Sequence, residues 1–127
     1  MKTILTLLFF LSVLAQAAEP FAVKTGENRF SYYVQDDNDP GVFYKSGLTA
    51  TGAACRPTGL IKIGFLENSD SESIASRYSL ELYQSYPGFI LYLTPSPKDA
   101  MPIAAAIWEE PGVRFAVPLC EQKKRLQ

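Results

Sequence analysis

Leu60-Ile61-Lys62-Ile63-Gly64-Phe65-Leu66 is the stretch on which the fold turns. Ile61, Ile63 and Phe65 alternate with Lys62 and Gly64, so one face of an extended strand is apolar and the other is not. Downstream, Ser69 and Glu72 have capping-box spacing, which predicts a short helix ending near Ser79. Ile74 and Tyr78 sit one turn apart on one side of it. Leu80-Glu81-Leu82-Tyr83 alternates again, and Tyr86-Pro87-Gly88 is a turn signal. Phe89-Ile90-Leu91-Tyr92-Leu93 is apolar at every position, the pattern of a central strand with both faces at least partly covered. Pro95 and Pro97 stop it. Asp99 is placed to cap a second helix over 100–109, with Pro102 in its first turn, where a missing N–H costs little. Ile103 and Ile107 share a face, and Ala104, Ala105 and Ala106 favour helix. Pro111-Gly112 ends it. In the last strand, Val113-Arg114-Phe115-Ala116-Val117, alternation assigns Val113, Phe115 and Val117 to the helix side and Arg114 to the other.

The order from Leu60 is strand, helix, strand, strand, helix, strand. It predicts an α+β fold, a ferredoxin-like βαββαβ antiparallel sandwich with both helices on one face. The first and last strands are then antiparallel neighbours. Pairing Ile61 with Phe115 and Ile63 with Val113 extends to place Cys120 opposite Arg56, one residue from Cys55.

Upstream, Phe30, Tyr32 and Val34 alternate with Ser31 and Tyr33. A turn cluster, Asp36-Asp37-Asn38-Asp39-Pro40-Gly41, follows, and Val42-Phe43-Tyr44 returns, so 30–44 is expected to be an N-terminal β-hairpin. The acidic turn lacks the loop length and distal Glu of an EF-hand and is expected to be a solvated turn. Residues 46–58, rich in Gly, Thr, Ala and Pro, read as a loop or linker. At the start, Lys2 precedes an apolar run over 4–14, and Ala15-Gln16-Ala17 has the A-x-A pattern of a signal-peptidase site. The run is too short to span a bilayer, which needs about 20 apolar residues. The expected division is a signal peptide at 1–17, a hairpin and linker at 18–58, a ferredoxin-like domain at 59–120 and a flexible basic tail at 121–127. That leader predicts a periplasmic or secreted protein, with no membrane association after cleavage. In an oxidising compartment, Cys55 and Cys120 are expected to form a disulfide.

Hydrophobic residues make up 47% of the 127 positions and charged residues 20%, which is globular composition. A formal net charge of −1 gives no footprint for nucleic acid. The chain has 0 histidines, which excludes Ser-His-Asp and Cys-His catalysis and His-ligated metals. The 2 cysteines alone cannot build a structural zinc site. Glu109 and Glu110 are adjacent at a helix end and point in different directions, so they form no catalytic pair. No catalytic residue, cofactor or metal is therefore expected, and the chain reads as a non-enzyme.

The run Lys98-Asp99-Ala100-Met101-Pro102-Ile103-Ala104-Ala105-Ala106-Ile107-Trp108-Glu109-Glu110-Pro111-Gly112-Val113-Arg114-Phe115-Ala116-Val117-Pro118 resembles a family. It looks like the N-terminal propeptide of subtilisin-type serine proteases, which also occurs as free-standing protease inhibitors. The similar features are the Asp-Ala helix start, the small-residue helix, the Pro-Gly-Val turn and the Ala-Xaa-Pro ending. Val117 stands where the family's ending has Glu, and Leu119 stands where Asn often follows. The resemblance covers 60–119. It implies a ferredoxin-like fold whose open sheet face packs on a protease while its C-terminal segment occupies the active-site cleft.

Two functions follow as expectations. The first is an exported propeptide-like binding protein that inhibits a subtilisin-like serine protease or assists its folding. The second is a structural or accessory envelope protein with this fold and no protease partner. For the first, the expected partner-binding residues are Tyr83 and Arg114 on the helix-free face, and Lys124, Arg125, Leu126 and Gln127 in the tail. Tyr and Arg are enriched at binding hot spots. Trp108 is expected to pack at the core or helix rim.

Overall fold

The alternation at 60–65 becomes the C-terminal two-thirds of the longest strand of an antiparallel sheet. The computed structural model describes residues 20–46 and 54–121. The expected signal peptide at 1–17 and the tail residues 122–127 lie outside the described residues. The strands are β1 (Phe21–Gly26), β2 (Arg29–Gln35), β3 (Phe43–Ser46), β4 (Ala54–Cys55), β5 (Pro57–Phe65), β6 (Glu81–Tyr86), β7 (Phe89–Leu93) and β8 (Val113–Cys120). The helices are α1 (Ser71–Arg77) and α2 (Ala100–Ile107), the second preceded by a 3₁₀ turn at Pro97–Asp99. The fold is mixed α+β, with two four-stranded sheets in the orders β1-β2-β3-β4 and β6-β7-β5-β8. Every adjacent pair is antiparallel.

In the C-terminal sheet, Ile61 and Ile63 are fully buried and join Tyr92, Ala116, Ile74, Ala75, Ala104 and Ile107 in one core cluster. Both helices therefore cover the same face. Burying a side chain of this size contributes roughly 1.5–3 kcal/mol. α1 starts differently from the expected capping box. Asp70 is the N-cap, its carboxylate accepting from the Ser73 N–H at 3.1 Å, while the Ser69 hydroxyl donates to the Leu66 carbonyl. Asp99 makes no side-chain cap, because the 3₁₀ turn already leads the chain into α2. α2 ends at Ile107, two residues short of the expected Glu109.

The register of β5 on β8 departs from expectation. Ile61 lies opposite Pro118 and Ile63 opposite Ala116, a slide of three residues. An odd slide exchanges the faces of a strand. Phe115 is therefore opposite Gly64 on the helix-free face, while Ala116 takes the buried position expected for it. The slide is accommodated by a bulge at Arg114 and by irregular pairing over 58–60, so Cys120 still arrives near its partner, opposite Pro57. Cys55 and Cys120 are disulfide-bonded, joining β4 of one sheet to β8 of the other.

The N-terminal part is a sheet rather than an isolated hairpin and linker. β2 and β3 pair across the turn at 36–42, and β1 and β4 extend them on either side. Part of the expected linker is strand: β4 and the start of β5 fall within 46–58, and residues 47–53 lie outside the described residues. Val23 and Phe43 are buried on its inner face, with Phe21 edge-on to Phe43 at 5.8 Å. β1 packs against α2 and β8. Trp108, at the end of α2, donates from its indole N–H to the Ala22 carbonyl at 2.8 Å and meets the Phe30 ring edge-on at 5.1 Å. It packs at the helix rim, as expected.

Candidate functional site

The helix-free face of the C-terminal sheet is built by alternation. With Ile61, Ile63, Ile90 and Tyr92 turned to the helices, the ladder places Leu60, Lys62 and Gly64 of β5 on the other face. Phe89, Leu91 and Leu93 of β7 and Phe115 and Val117 of β8 lie there with them. Most are half-buried by their neighbours, and Leu93 is exposed. This explains the unbroken apolar run at 89–93. One set of its side chains enters the core and the other makes an apolar sheet surface. Tyr86 closes the surface at the β6 edge, its ring stacked on Phe89 at 4.9 Å.

Lys62 is the cation at the centre of this surface. Its Nζ lies 4.5 Å from the centroid of Phe89 on one side and 5.9 Å from that of Phe115 on the other. The aromatic faces attract the ammonium while the aliphatic stem covers apolar surface. Gly64 leaves the hollow that the Phe115 ring fills, since a Cβ there would overlap the ring.

The expected sheet contacts fall at its two margins. Tyr83 is on the edge strand β6, as the extra residue of a bulge between Leu82 and Gln84, and is 59% exposed. Arg114 is on β8 at the opposite margin, at the other bulge. With three strand spacings between them, the two backbones are at least about 14 Å apart. Arg114 reaches Glu27 in the β1–β2 turn at 3.8 Å, and both side chains are exposed, so the pair is worth little by itself. The structure does not bring Tyr83 and Arg114 together. Lys124, Arg125, Leu126 and Gln127 lie outside the described residues. The surface residues between the margins, above all Lys62, Phe89, Leu91 and Phe115, were not among the expected contacts. The fully apolar sequence at 89–93 was the available signal for them.

Other polar groups are held structurally. Glu110 accepts from Arg77 at 2.7 Å and from the Tyr78 hydroxyl at 2.8 Å, tying α1 to the turn before β8. Burial first, and then this hydrogen bond, push the Tyr78 phenol above its ordinary value. Burial likewise raises Tyr92 and Tyr33. Among the described residues, no group of three or more His, Cys, Asp or Glu side chains could hold a metal ion. No helix among them is long and apolar enough to cross a membrane. No protein-family model matches the chain, and neither does any curated protein or solved structure.

Proposed function

We propose that this chain is an exported binding protein that inhibits a subtilisin-like serine protease or assists its folding. It acts by occupying the enzyme's surface and active-site cleft and carries out no bond chemistry itself. The observation that carries the reading is the apolar, helix-free face centred on Lys62, Phe89, Leu91 and Phe115. A contiguous apolar surface with a polar rim is the ordinary form of a protein-docking site. The strand order β6-β7-β5-β8, with β5 and β8 as antiparallel neighbours, supports a ferredoxin-like description of 59–120 and, with it, the propeptide resemblance. The disulfide supports export.

In this mechanism the sheet face docks as a preformed surface, with Tyr83 and Arg114 at its margins. Lys124, Arg125, Leu126 and Gln127 lie in the cleft as an extended segment, held by strand-like backbone pairing. The test is a titration of subtilisin activity with the chain from Ala18 onward, beside a Leu91→Asp variant and a chain ending at Lys123. The parent is expected to inhibit. Leu91→Asp should weaken inhibition by about tenfold or more through a charge buried at the contact. The truncated chain should bind but inhibit poorly. No binding by the parent to several subtilisin-like proteases would overturn the reading and favour an accessory envelope protein.

A further inference from the structure

On the outer face of the N-terminal sheet, alternation along β2 lines up Phe30, Tyr32 and Val34, which are 41%, 46% and 38% exposed. Tyr44, 44% exposed, lies directly opposite Val34 on β3, and Ala54 opposite Tyr44 on β4. The inner face of this sheet already fills the core through Val23 and Phe43; Phe30 meets Trp108 edge-on, while Tyr32, Val34 and Tyr44 take no part in the core cluster. The aromatic stripe leads into a cavity of about 550 Å³ whose lining includes Asp36, Asp39, Tyr44, Ala54, Arg56 and Glu121. That volume is in the range of small-ligand sites.

The charges in the cavity are arranged in pairs. Arg56 donates to Asp39 at 2.8 Å and lies 3.6 Å from Glu121. The Tyr44 hydroxyl donates to Asp36 at 3.2 Å. The hydrogen bond from Arg56 holds the Asp39 carboxyl below its ordinary range. These carboxylates retain free lone pairs, so the cavity is rich in acceptors. At the other end of the stripe, Lys24 lies opposite Phe30 on the same face. A polycation fitting the cavity would meet Lys24, and a polyanion fitting Lys24 would meet Asp36 and Glu121. A neutral chain meets neither conflict. From Phe30 to Val34 the strand rises about 13 Å, long enough for several rings of an extended polymer.

We propose that this stripe and cavity bind a neutral oligosaccharide. The flat C–H faces of its rings lie on Tyr32 and Tyr44, and its hydroxyls donate to Asp36 and Glu121. Tyrosine suits such a ligand because its ring is apolar and its hydroxyl is wet. The site is independent of the protease reading and lies on the other sheet.

The test is an NMR titration of the ¹⁵N-labelled chain from Ala18 onward with three neutral hexasaccharides, cellohexaose, hexa-N-acetylchitohexaose and maltohexaose, each to about 10 mM, a concentration that captures millimolar affinities. At least one is expected to give saturable shifts centred on Phe30, Tyr32, Tyr44 and Asp36. Tyr32→Ala and Tyr44→Ala should each weaken it by about tenfold, as expected for loss of one stacking partner, while both variants retain the dispersed amide spectrum of the folded chain. Because the ligand is neutral, about 0.5 M NaCl should leave the affinity intact. The proposal is overturned if none of the three sugars shifts these resonances or the shifts centre elsewhere. Loss of binding in salt, or Tyr→Ala variants that bind as the parent does, would overturn it equally.

Discussion

The Phe115 ring lies across the backbone of Gly64, directly opposite it in the β5–β8 ladder. A strand interior ordinarily disfavours glycine, and here the missing side chain is what admits the ring. Gly64→Ala should therefore destabilise by about 1–3 kcal/mol through overpacking. The double variant Gly64→Ala/Phe115→Ala should recover part of that loss. A chemical denaturation series checks both, and equal stabilities of Gly64→Ala and the parent would contradict the contact.

The two faces of the C-terminal sheet should differ in their sensitivity to truncation. Ile63→Ala, at a fully buried position, should cost about 2–5 kcal/mol. Lys62→Ala, on the helix-free face, should cost less than about 1 kcal/mol, the value of a partly exposed cation–aromatic contact. Urea midpoints of the two variants measure the contrast.

Cys55 and Cys120 enclose a loop with a sequence separation of 65. In the chain-entropy account, closing such a loop stabilises by about 4 kcal/mol. Mass spectrometry of the unreduced protein should show a loss of two hydrogens (about 2 Da) and one linked peptide pair. Added reductant should lower the thermal midpoint. Two alkylatable thiols in the unreduced protein would contradict the bond.

Alkaline pH should destabilise the fold. Burial raises the phenols of Tyr33, Tyr78 and Tyr92, and the hydrogen bond to Asp36 raises that of Tyr44. A phenol whose folded-state value is raised contributes stability that is complete below its unfolded value, about 10, and is lost as pH rises through the folded value. The thermal midpoint should fall above about pH 10 and be less affected near neutrality. Tyr78→Phe should make the alkaline fall shallower, since it removes one such phenol.

Much of the C-terminal sheet was legible because its code is local. Alternation at 60–66, the apolar run at 89–93 and the Pro-Gly signals each depend on neighbours in sequence. The disulfide was legible from the count of cysteines and the expected leader. The face of Phe115 was not, because a strand with apolar residues at 113, 115 and 117 reads the same whichever side meets the core. Its phase is set by the bulge at Arg114 and by the space over Gly64, both properties of the paired strands. The N-terminal sheet was read too small for a related reason. β4 is only a two-residue strand, and no periodicity can announce so short a segment. The apolar helix-free face was legible as residues but not as a surface. Tyr83 and Arg114 drew attention by residue type, whereas Phe89 and Leu91 belong to a run that reads as a central strand with both faces at least partly covered.

The disulfide has a topological consequence. The segment from Cys55 to Cys120 is a covalent ring that contains the whole C-terminal sheet and both helices. Under the proposed function the chain meets proteolytic enzymes, and cleavage would fall most readily at exposed positions such as those of β6. One cut inside the ring opens it without releasing either piece. The halves remain one molecule, held at high effective concentration, and their re-pairing is intramolecular. A clipped chain would keep its mass under non-reducing conditions, apart from one added water, and would separate into two fragments only after reduction.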